Sequence, residues 1–560
     1  MPTTDAWHSH HVFLHSATED TDAFLLREAA PLLDGLVAAG EADRWFFIRY
    51  PEDGPHVRLR VRGLAPAAAA GLPGELARAA KEVPSVPGPW PSAHGEVRAV
   101  PYRPETDRYG GPRALPLAEE VFADSSRVAV EVLRELAAGG GSSARLTHAA
   151  DLAHTTVHAL GLDRLTAARW LRRHAAGWRW VTEVELLPGA SVHARVNSVY
   201  AAQRSGLQRR AQDLRERLAQ GTAAPWLGHW ESRVRATDAL LRAGLDPEAA
   251  PDATAWIWGS QLHMLFNRLG VTPDEERAVC RLAARTLLET GEPADYFPAG
   301  HTAADFQYLE RSKFQIGRHE DTALRTLPPE PPRRTPAAPE LPLPAGPLPE
   351  VPLGAALAAR ASLRGALGGP LAAADLGALL WHAMADRDRG GALRPEDAAE
   401  PPVRRAYPSG GALYTARVRL LVLDVDGVPA GTYDCVPERR TLRRVGPAPA
   451  TAEIAALSTY LSRPASDPHR IGIDRVPVVL ALYADLGLLR RRYGLRALRL
   501  ALLETGHLAQ NLLLTGTALG LAGTPLGGFH DDLAQELLGL DDLEQPLQYL
   551  LPLGRPAPAV

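Results

Sequence analysis

The sequence contains little cysteine and no long apolar run, and these absences exclude several classes of protein. Its two cysteines, Cys280 and Cys435, lie far apart, which excludes a disulfide framework and a cysteine-rich metal site and favours a reduced setting. No stretch has transmembrane length, and the N-terminus lacks a basic segment followed by an apolar core. A net charge of −4 gives no general reason to expect nucleic acid or an anionic membrane. We therefore expect a cytoplasmic protein with no metal site, no nucleic acid and no membrane partner.

The length and the distribution of proline predict how the chain divides. A chain of 560 residues is too long for a single hydrophobic core, so two or three domains are expected. Between residues 328 and 352, 11 of 25 residues are proline, which excludes a regular helix or a central strand and favours an extended spacer. The sequence therefore predicts one domain at 1–327, a linker at 328–352 and a second domain at 353–560.

A basic hairpin is the most regular feature of the first half. Two β-rich runs, 45–50 and 56–61, are joined by a Pro-Glu-Asp-Gly-Pro turn. Alternation places the apolar side chains of the second run on one face and its arginines on the other, where Arg49 joins them from the partner strand: Arg58, Arg60 and Arg62. Such a row either binds a carboxylate or phosphate or is a solvated strand face.

Two other features of the first half are ambiguous when taken alone. Glu105 and Arg108 lie three residues apart between Tyr102 and Tyr109, a spacing that suits a local ion pair. His263 lies in an apolar helix, where a histidine serves either as a hydrogen-bonded core residue or as a catalytic group.

Taken in order, the segments FFIRYPEDGPHVRLR, YRPETDRYGG and HMLFNRLG resemble the C-terminal elimination domain of lantibiotic dehydratases, over most of residues 7–318. Members of that family release glutamate from glutamylated Ser or Thr, which leaves dehydroalanine or dehydrobutyrine. The resemblance implies that Arg49 and Arg108 grip the glutamyl group, that Arg58 and Arg60 support them, that Glu105 orients an arginine or moves a proton, and that His263 is the acid–base group. Relatives that only bind peptide or that assemble a pyridine ring supply the alternative.

The second half is organised around an apolar segment at 495–519. Its leucines recur nearly all round a helix, which predicts a helix buried on every side. Glu504, His507, Gln510 and Asn511 are predicted to share one polar face of it. Buried polar groups need partners, so that face either forms a hydrogen-bonded network across a helix or subunit interface or takes part directly in catalysis.

Other segments of the second half suit a phosphate and a flat ring. The triplet R-x-S-x-R at 360–364 supplies the donors that a phosphate monoester needs, although a basic helix surface has the same composition. A tight loop in RRAYPSGGALY precedes an apolar strand, and glycines at 520–528 suit close backbone approach to a flat ligand. Residues 431–445 predict a hairpin and residues 476–485 a buried strand.

In order, RxSxR, YPSGGALY, GTYDCVPERRTL, RRYGLRALRLALLETGHLAQNL, LGLAGTPLGGF and LPLGRP resemble the SagB/McbC type of nitroreductase-like dehydrogenase, over 355–556. The resemblance implies an α+β fold, FMN, a homodimer through this domain, and oxidation of peptide azolines to thiazoles or oxazoles. It places near the FMN phosphate Arg360, Ser362, Arg364 and Arg555. It places near the rest of the cofactor Pro408, Ser409, Gly410, Gly411, Gln510, Asn511, Gly523, Pro525, Leu526 and Gly527.

One departure from that family changes the proton-transfer assignment. The family has a Lys-Tyr pair where this sequence has Arg492 and Tyr493. Because a guanidinium stays protonated, Tyr493 is the better candidate base and Arg492 its electrostatic support.

The two resemblances together predict an α+β, bifunctional enzyme similar to tailoring enzymes of lactazole-type thiopeptide pathways. It would combine an FMN-dependent azoline dehydrogenase with a glutamate-eliminating lyase, both acting on a ribosomally made precursor peptide. Expected partners are a cyclodehydratase, a glutamylation enzyme and a leader-recognition protein. A general flavin oxidoreductase acting on small molecules is a further alternative.

Overall fold

The structure is a computed structural model, and it describes residues 7–139, 142–181, 184–244, 250–289, 300–316, 338–363, 365, 367–386, 404–464, 466–541 and 543–556. Contacts divide the chain into two units, the first formed by 1–187 and 194–291 and the second by 188–193 and 292–560. Each unit combines helices with an antiparallel sheet, which confirms the predicted α+β class. No helix within these described ranges is long and apolar enough to cross a membrane.

The first unit packs a small sheet against many helices. Its strands are β1 (Trp7–Phe13), β2 (Arg44–Tyr50), β3 (His56–Arg62) and β4 (Val97–Ala99), in the order β2-β3-β1-β4. Its helices are α1 (Thr18–Phe24), α2 (Ala30–Ala38), α3 (Pro66–Lys81), α4 (Leu115–Ala137), α5 (Ser142–Ala159), α6 (Arg164–Gly177), α7 (Gly189–Gln220, from residue 194 onward), α8 (Pro225–Gly244), α9 (Ala250–Arg268) and α10 (Pro273–Leu288). A 3-10 turn, Thr106–Tyr109, precedes α4. One apolar core joins the sheet to the helices and includes Phe47, Leu59 and Phe266.

The predicted basic hairpin is confirmed, with one correction. Strands β2 and β3 pair antiparallel, and in β3 the valines and leucine are buried while the three arginines are partly exposed on the other face. The expectation that Arg49 joins the arginine row is wrong. Arg49 lies opposite Val57, and directly opposite residues of an antiparallel pair share a face, so its side chain belongs to the apolar side.

The second unit contains a larger antiparallel sheet. Its strands are β5 (Glu340–Pro342), β6 (Leu367–Gly368), β7 (Leu371–Ala372), β8 (Ala416–Val422), β9 (Val425–Asp426), β10 (Gly431–Val436), β11 (Thr441–Gly446), β12 (Val478–Ala484), β13 (Ala522–Gly523) and β14 (Leu547–Pro556). The sheet order is β13-β14-β12-β8-β10-β11-β5, β6 pairs with β14, and β7 pairs with β9. The helices are α11 (Ala304–Arg311), α12 (Leu353–Ala359), α13 (Ala373–Met384), α14 (Thr451–Ala455), α15 (Leu486–Tyr493), α16 (Ala497–Ala518) and α17 (Asp531–Leu538). The hairpin β10–β11 and the fully buried strand β12 confirm two predictions.

Part of the interval predicted as a spacer is folded. Strand β5 pairs with β11 at the edge of the sheet, and Thr441 Oγ1 donates a hydrogen bond to Glu340 Oε2 at 2.6 Å. An edge position tolerates proline because one side of the strand needs no ladder hydrogen bonds. Residues 338–352 therefore belong to the fold of the second unit, whereas 328–337 lie outside the described residues.

Helix α16 is correctly predicted as the central helix, but it is not buried on every side. Leu502 and Leu503 are 50% and 60% exposed. Its polar residues are not buried together either, because Glu504 is buried while His507 and Gln510 are exposed. The exposed positions follow one stripe along the helix, so α16 presents a partly apolar face that the described residues leave uncovered.

Candidate functional sites

Helix α9 brings three predicted residues of the first unit together. Ser260 accepts a hydrogen bond from Arg108 Nε at 3.1 Å, and His263 lies one turn further along. Asn267 lies one turn beyond His263, accepts from the backbone N–H of Arg49 at 2.8 Å, and donates to the Arg49 carbonyl at 2.9 Å. Positions 260, 263 and 267 share one helix face, so α9 aligns Arg108, His263 and Arg49.

The predicted ion pair between Glu105 and Arg108 is confirmed. Arg108 Nη1 donates to Glu105 Oε2 at 3.0 Å. Arg108 lies in the 3-10 turn and Glu105 directly precedes it. Both side chains are more than one-third exposed, so the pair contributes little to stability and both groups stay accessible to a ligand.

A buried glutamate that the sequence analysis missed holds His263. His263 Nδ1 donates to Glu276 Oε2 at 2.8 Å, and His174 Nε2 donates to Glu276 Oε1 at 2.6 Å. Burial opposes ionisation of Glu276, yet His263 and His174 together lower its pKa to about 2. The three residues lie on α9, α10 and α6, so no local spacing in the sequence signals the arrangement.

Arg268 is a second residue that the sequence analysis missed. It is fully buried, its Nε donates to Ser126 Oγ at 3.0 Å, and its two terminal nitrogens have no hydrogen-bond partner among the described residues. Burial lowers the pKa of Arg268 to about 9. The only signal in the sequence is an arginine inside the apolar run HMLFNRLG.

The guanidiniums of Arg60 and Arg268 lie around one group of aromatic rings. The Arg60 guanidinium carbon is 4.7 Å from the ring centre of Tyr102 and 5.4 Å from that of Phe46, and Arg268 is 5.9 Å from the same Phe46 ring. Neither arginine has an ion-pair partner among the described residues. A buried and a partly exposed cation, both against aromatic rings and without an acidic partner, favour an anionic ligand.

Arg49 and Arg58 differ from that pair because protein groups already contact them. Arg49 Nη2 donates to Asp22 at 2.5 Å, and its Nε donates to the carbonyl of Arg268 at 3.0 Å. Arg58 lies 3.5 Å above the Tyr50 ring and pairs with Glu52 at 3.0 Å. Arg49, Arg58 and Arg108 thus each pair with a carboxylate, whereas Arg60 and Arg268 have no acidic partner among the described residues.

In the second unit, Glu504 of α16 holds the loop that precedes β8. Its Oε2 accepts from Ser409 Oγ at 2.6 Å and its Oε1 from the backbone N–H of Ala416 at 2.7 Å. Ser409 Oγ also accepts from the backbone N–H of Tyr414 at 2.8 Å. A buried carboxylate with these donors fixes the shape of the loop.

The same loop lies against the predicted Arg492-Tyr493 pair. Gly411 has φ +63°, and a Cβ added there would lie 2.4 Å from Tyr493 Oη and 3.3 Å from Arg492 Cζ. Ala412 and Tyr414 also have positive φ, at 56° and 48°. Inside the loop, the N–H groups of Ala412 and Leu413 donate to the carbonyls of Ser409 and Gly410, so the candidates for a hydrogen-bonding ligand are the N–H groups of residues 409–411.

A second group of predicted residues surrounds the C-terminal end of α16. Ser362 bridges to Gly523, Gly523 pairs with Leu553, and Arg555 Nη2 donates to Asp375 at 2.8 Å. Arg360 caps the end of α12, and Arg364 lies outside the described residues. The remaining predicted residues are Pro525, Leu526 (which pairs with Leu550), exposed Gly527, exposed Gln510 and half-buried Asn511.

These two groups occupy opposite ends of α16. Gly410 lies against Leu500, whereas Arg555 Nη1 is 3.5 Å from the carbonyl of Leu519. The helical rise separates Leu500 from Leu519 by about 28 Å. One chain therefore does not bring the loop at 408–411 together with Ser362 and Arg555. Among the described residues, no group of three His, Cys, Asp or Glu side chains is placed to hold a metal ion.

Comparison with known families defines the class of each unit. Residues 7–287 match the family Lantibiotic biosynthesis dehydratase C-term, and residues 357–555 match the Nitroreductase family. The first match covers just over half of the chain. The chain therefore belongs to the lantibiotic dehydratase C-terminal family and carries a nitroreductase-family domain after it.

Individual relatives support the same division. A protein of Methanocaldococcus jannaschii named as a nitroreductase is 31% identical over 196 residues, covering 35% of this chain and 87% of that protein. The microcin B17-processing protein McbC of Escherichia coli is 34% identical over 143 residues, 25% of this chain, and the chain spans only 50% of its length. The pyridine synthase TbtD from thiomuracin biosynthesis is 23% identical, with a TM-score of 0.39, over 50% of this chain and 97% of that one. This structural likeness is too weak to bear on activity.

Proposed function

We propose that this chain tailors a ribosomally made peptide in two reactions, in the setting of a lactazole-type thiopeptide pathway. The first unit eliminates glutamate from glutamylated Ser or Thr, and the second oxidises azolines to azoles with FMN. The carrying observation is that α9 holds Arg108 through Ser260 and presents His263 one turn further along, while Arg60 and Arg268, which have no acidic partner among the described residues, lie around the Phe46 ring. Membership of the lantibiotic dehydratase C-terminal family and the 34% sequence identity to a microcin B17-processing protein over 143 residues support the proposal.

The first unit has the groups that an elimination needs. His263 takes the Cα proton, the Cβ–O bond breaks, and glutamate leaves as a carboxylate. Arg108 stabilises that carboxylate, with Glu105 fixing the Arg108 side chain through their ion pair. Arg60 and Arg58 add positive charge from β3, while Arg49 holds β2 against the end of α9.

The second unit carries one group of residues that fits a flavin phosphate and, at the other end of α16, another group that fits a flavin ring. Ser362 and Arg555, together with Arg360 and Arg364, would hold the phosphate, and the backbone N–H groups of the 408–411 loop would hold the ring. A bound flavin supplies the hydride acceptor for azoline oxidation. Tyr493, which adjoins Gly411, takes the proton that the azoline loses besides the hydride, and Arg492 stabilises the Tyr493 oxygen.

A homodimer through the second unit accounts for the separation of these groups. A distance of about 28 Å exceeds the length of one FMN molecule, so a single chain holds either end of the cofactor but not both. Two antiparallel copies of α16 bring the N-terminal end of one beside the C-terminal end of the other. The exposed stripe through Leu502, Leu503 and His507 supplies the contact face, and a Cβ added at Gly506 would meet only open space.

The proposal is tested with purified full-length protein. Its visible spectrum and the flavin released by heat are recorded first, and then a peptide carrying both an azoline and a glutamylated serine is supplied. Loss of two hydrogens and loss of glutamate, measured separately by mass spectrometry, are both expected. An azole that forms while the glutamyl group survives would instead indicate a peptide-binding or pyridine-synthase-like first unit. Flavin-dependent turnover of nitroaromatics without turnover of the peptide would indicate a small-molecule oxidoreductase.

A further inference from the structure

His263, Glu276 and His174, which come from three helices, form a connected hydrogen-bonded cluster. Glu276, 1% exposed, lies between His263 and His174 and uses one carboxylate oxygen for each. We propose that Glu276 and His174 are positioning residues that fix the tautomer of His263 and stabilise its protonated form, an inference that rests on the proposed elimination.

The geometry determines which ring nitrogens carry protons. The depressed pKa of Glu276 makes it a carboxylate at neutral pH, and an ionised carboxylate only accepts hydrogen bonds. The proton of His263 is therefore on Nδ1, and that of His174 is on Nε2. His263 Nε2 has no partner among the described residues, so it is the nitrogen left as a base.

The surroundings restrict both rings to these orientations. Trp178 contacts the His263 ring edge to face at 4.7 Å, and Trp170 stacks on His174 at 5.7 Å with an interplanar angle of 8°. A Cβ added at Gly259 would lie 3.1 Å from His174 Nδ1, so glycine on α9 provides the space for this ring. Side chains from three helices and two tryptophans thus hold both imidazole rings in place.

The arrangement accounts for the proton in the proposed reaction. The Cα–H bond breaks and its proton moves to His263 Nε2, while its electron pair forms the new C=C bond. The Cβ–O bond breaks and its electron pair leaves with glutamate. The imidazolium formed on His263 lies against the Glu276 carboxylate, which offsets its charge, and His174 satisfies the other oxygen. The proton then passes from His263 Nε2 to glutamate or water, and His263 returns to its neutral form.

The first test measures the tautomer directly in the full-length protein. Histidine labelled with ¹⁵N at Nδ1 is incorporated, and the solid-state NMR spectrum is compared with that of His263→Asn, so that the difference reports His263. A protonated Nδ1 is expected in the wild-type protein, and a mixture of protonated and unprotonated signals in Glu276→Gln. An unprotonated Nδ1 of His263 in the wild-type protein would overturn the proposal. This result does not depend on whether the protein eliminates glutamate.

The second test separates positioning from folding. Glu276→Gln is expected to lower kcat for elimination by about 10- to 100-fold with KM little changed, since substrate contacts remain while the base is misoriented. Glu276→Asp should recover part of kcat. His174→Gln keeps a hydrogen-bond donor, so its kcat should stay near that of the wild-type protein. His174→Leu has no donor, so its kcat should fall. Asp151→Asn, which removes a buried acid paired with Arg210, serves as the control. Equal kcat in His174→Leu and His174→Gln would contradict the role of His174.

Discussion

The two units assemble their candidate sites in opposite ways. In the first, α9 alone aligns Arg108 and His263, and buried partners from α6 and α10 complete the arrangement within one chain. In the second, the candidate residues divide between the two ends of α16, whose exposed stripe is left uncovered by the described part of the chain. The first candidate site is thus assembled within one chain, whereas the proposed flavin site would be completed by a second copy. It follows that the two activities should respond independently to substitution.

The largest effect is expected for His263→Ala. Loss of a general acid–base group should reduce elimination by about 10²- to 10⁴-fold, while azole formation by the same protein stays normal. Both reactions are followed on one peptide by mass spectrometry. His229→Ala is the matched control, because His229 is about half exposed and pairs with Asp124 elsewhere in the unit. Normal elimination in His263→Ala would remove this residue from the mechanism.

The second prediction concerns the exposed stripe of α16. Leu502→Glu should place a charge at the centre of the proposed dimer contact, so light scattering should show a monomer and the flavin should be released during gel filtration. Elimination should be unchanged. Leu240→Glu is the control, since Leu240 is similarly exposed on α8 of the first unit. A monomer that retains stoichiometric flavin would show that one chain completes the site.

A smaller effect is expected where Glu504 holds the 408–411 loop. Glu504→Ala leaves the Ala416 N–H and the Ser409 hydroxyl without their acceptor, at a cost of about 1–3 kcal/mol for each buried group. The midpoint of thermal unfolding should fall by several degrees, and flavin content should fall with it. Gln510→Ala on the exposed side of the same helix should have little effect. Similar unfolding midpoints in the two variants would show that the Glu504 contacts contribute nothing.

The sequence predicted elements better than it predicted the contacts between them. The β2–β3 hairpin, β12 and α16 follow from alternation and apolar periodicity, which are local properties. The face of Arg49 depended on the register of the hairpin, and the partners of His263 depended on the packing of three helices. Burial of α16 was overestimated because an apolar composition does not show which sides of a helix the rest of the chain covers.

The smallest predicted effect contrasts two arginines of the first site. Arg268→Met removes a buried cation without a charged partner, so the free protein should gain about 1 kcal/mol of stability, while KM for the glutamylated peptide should rise. Arg49→Met is the matched control, because it breaks the contact with Asp22 and should destabilise the protein by about 1–3 kcal/mol. Chemical denaturation measures both. Destabilisation of equal size in the two variants would mean that Arg268 is a structural residue, and that its unpaired nitrogens are not kept for an anionic substrate.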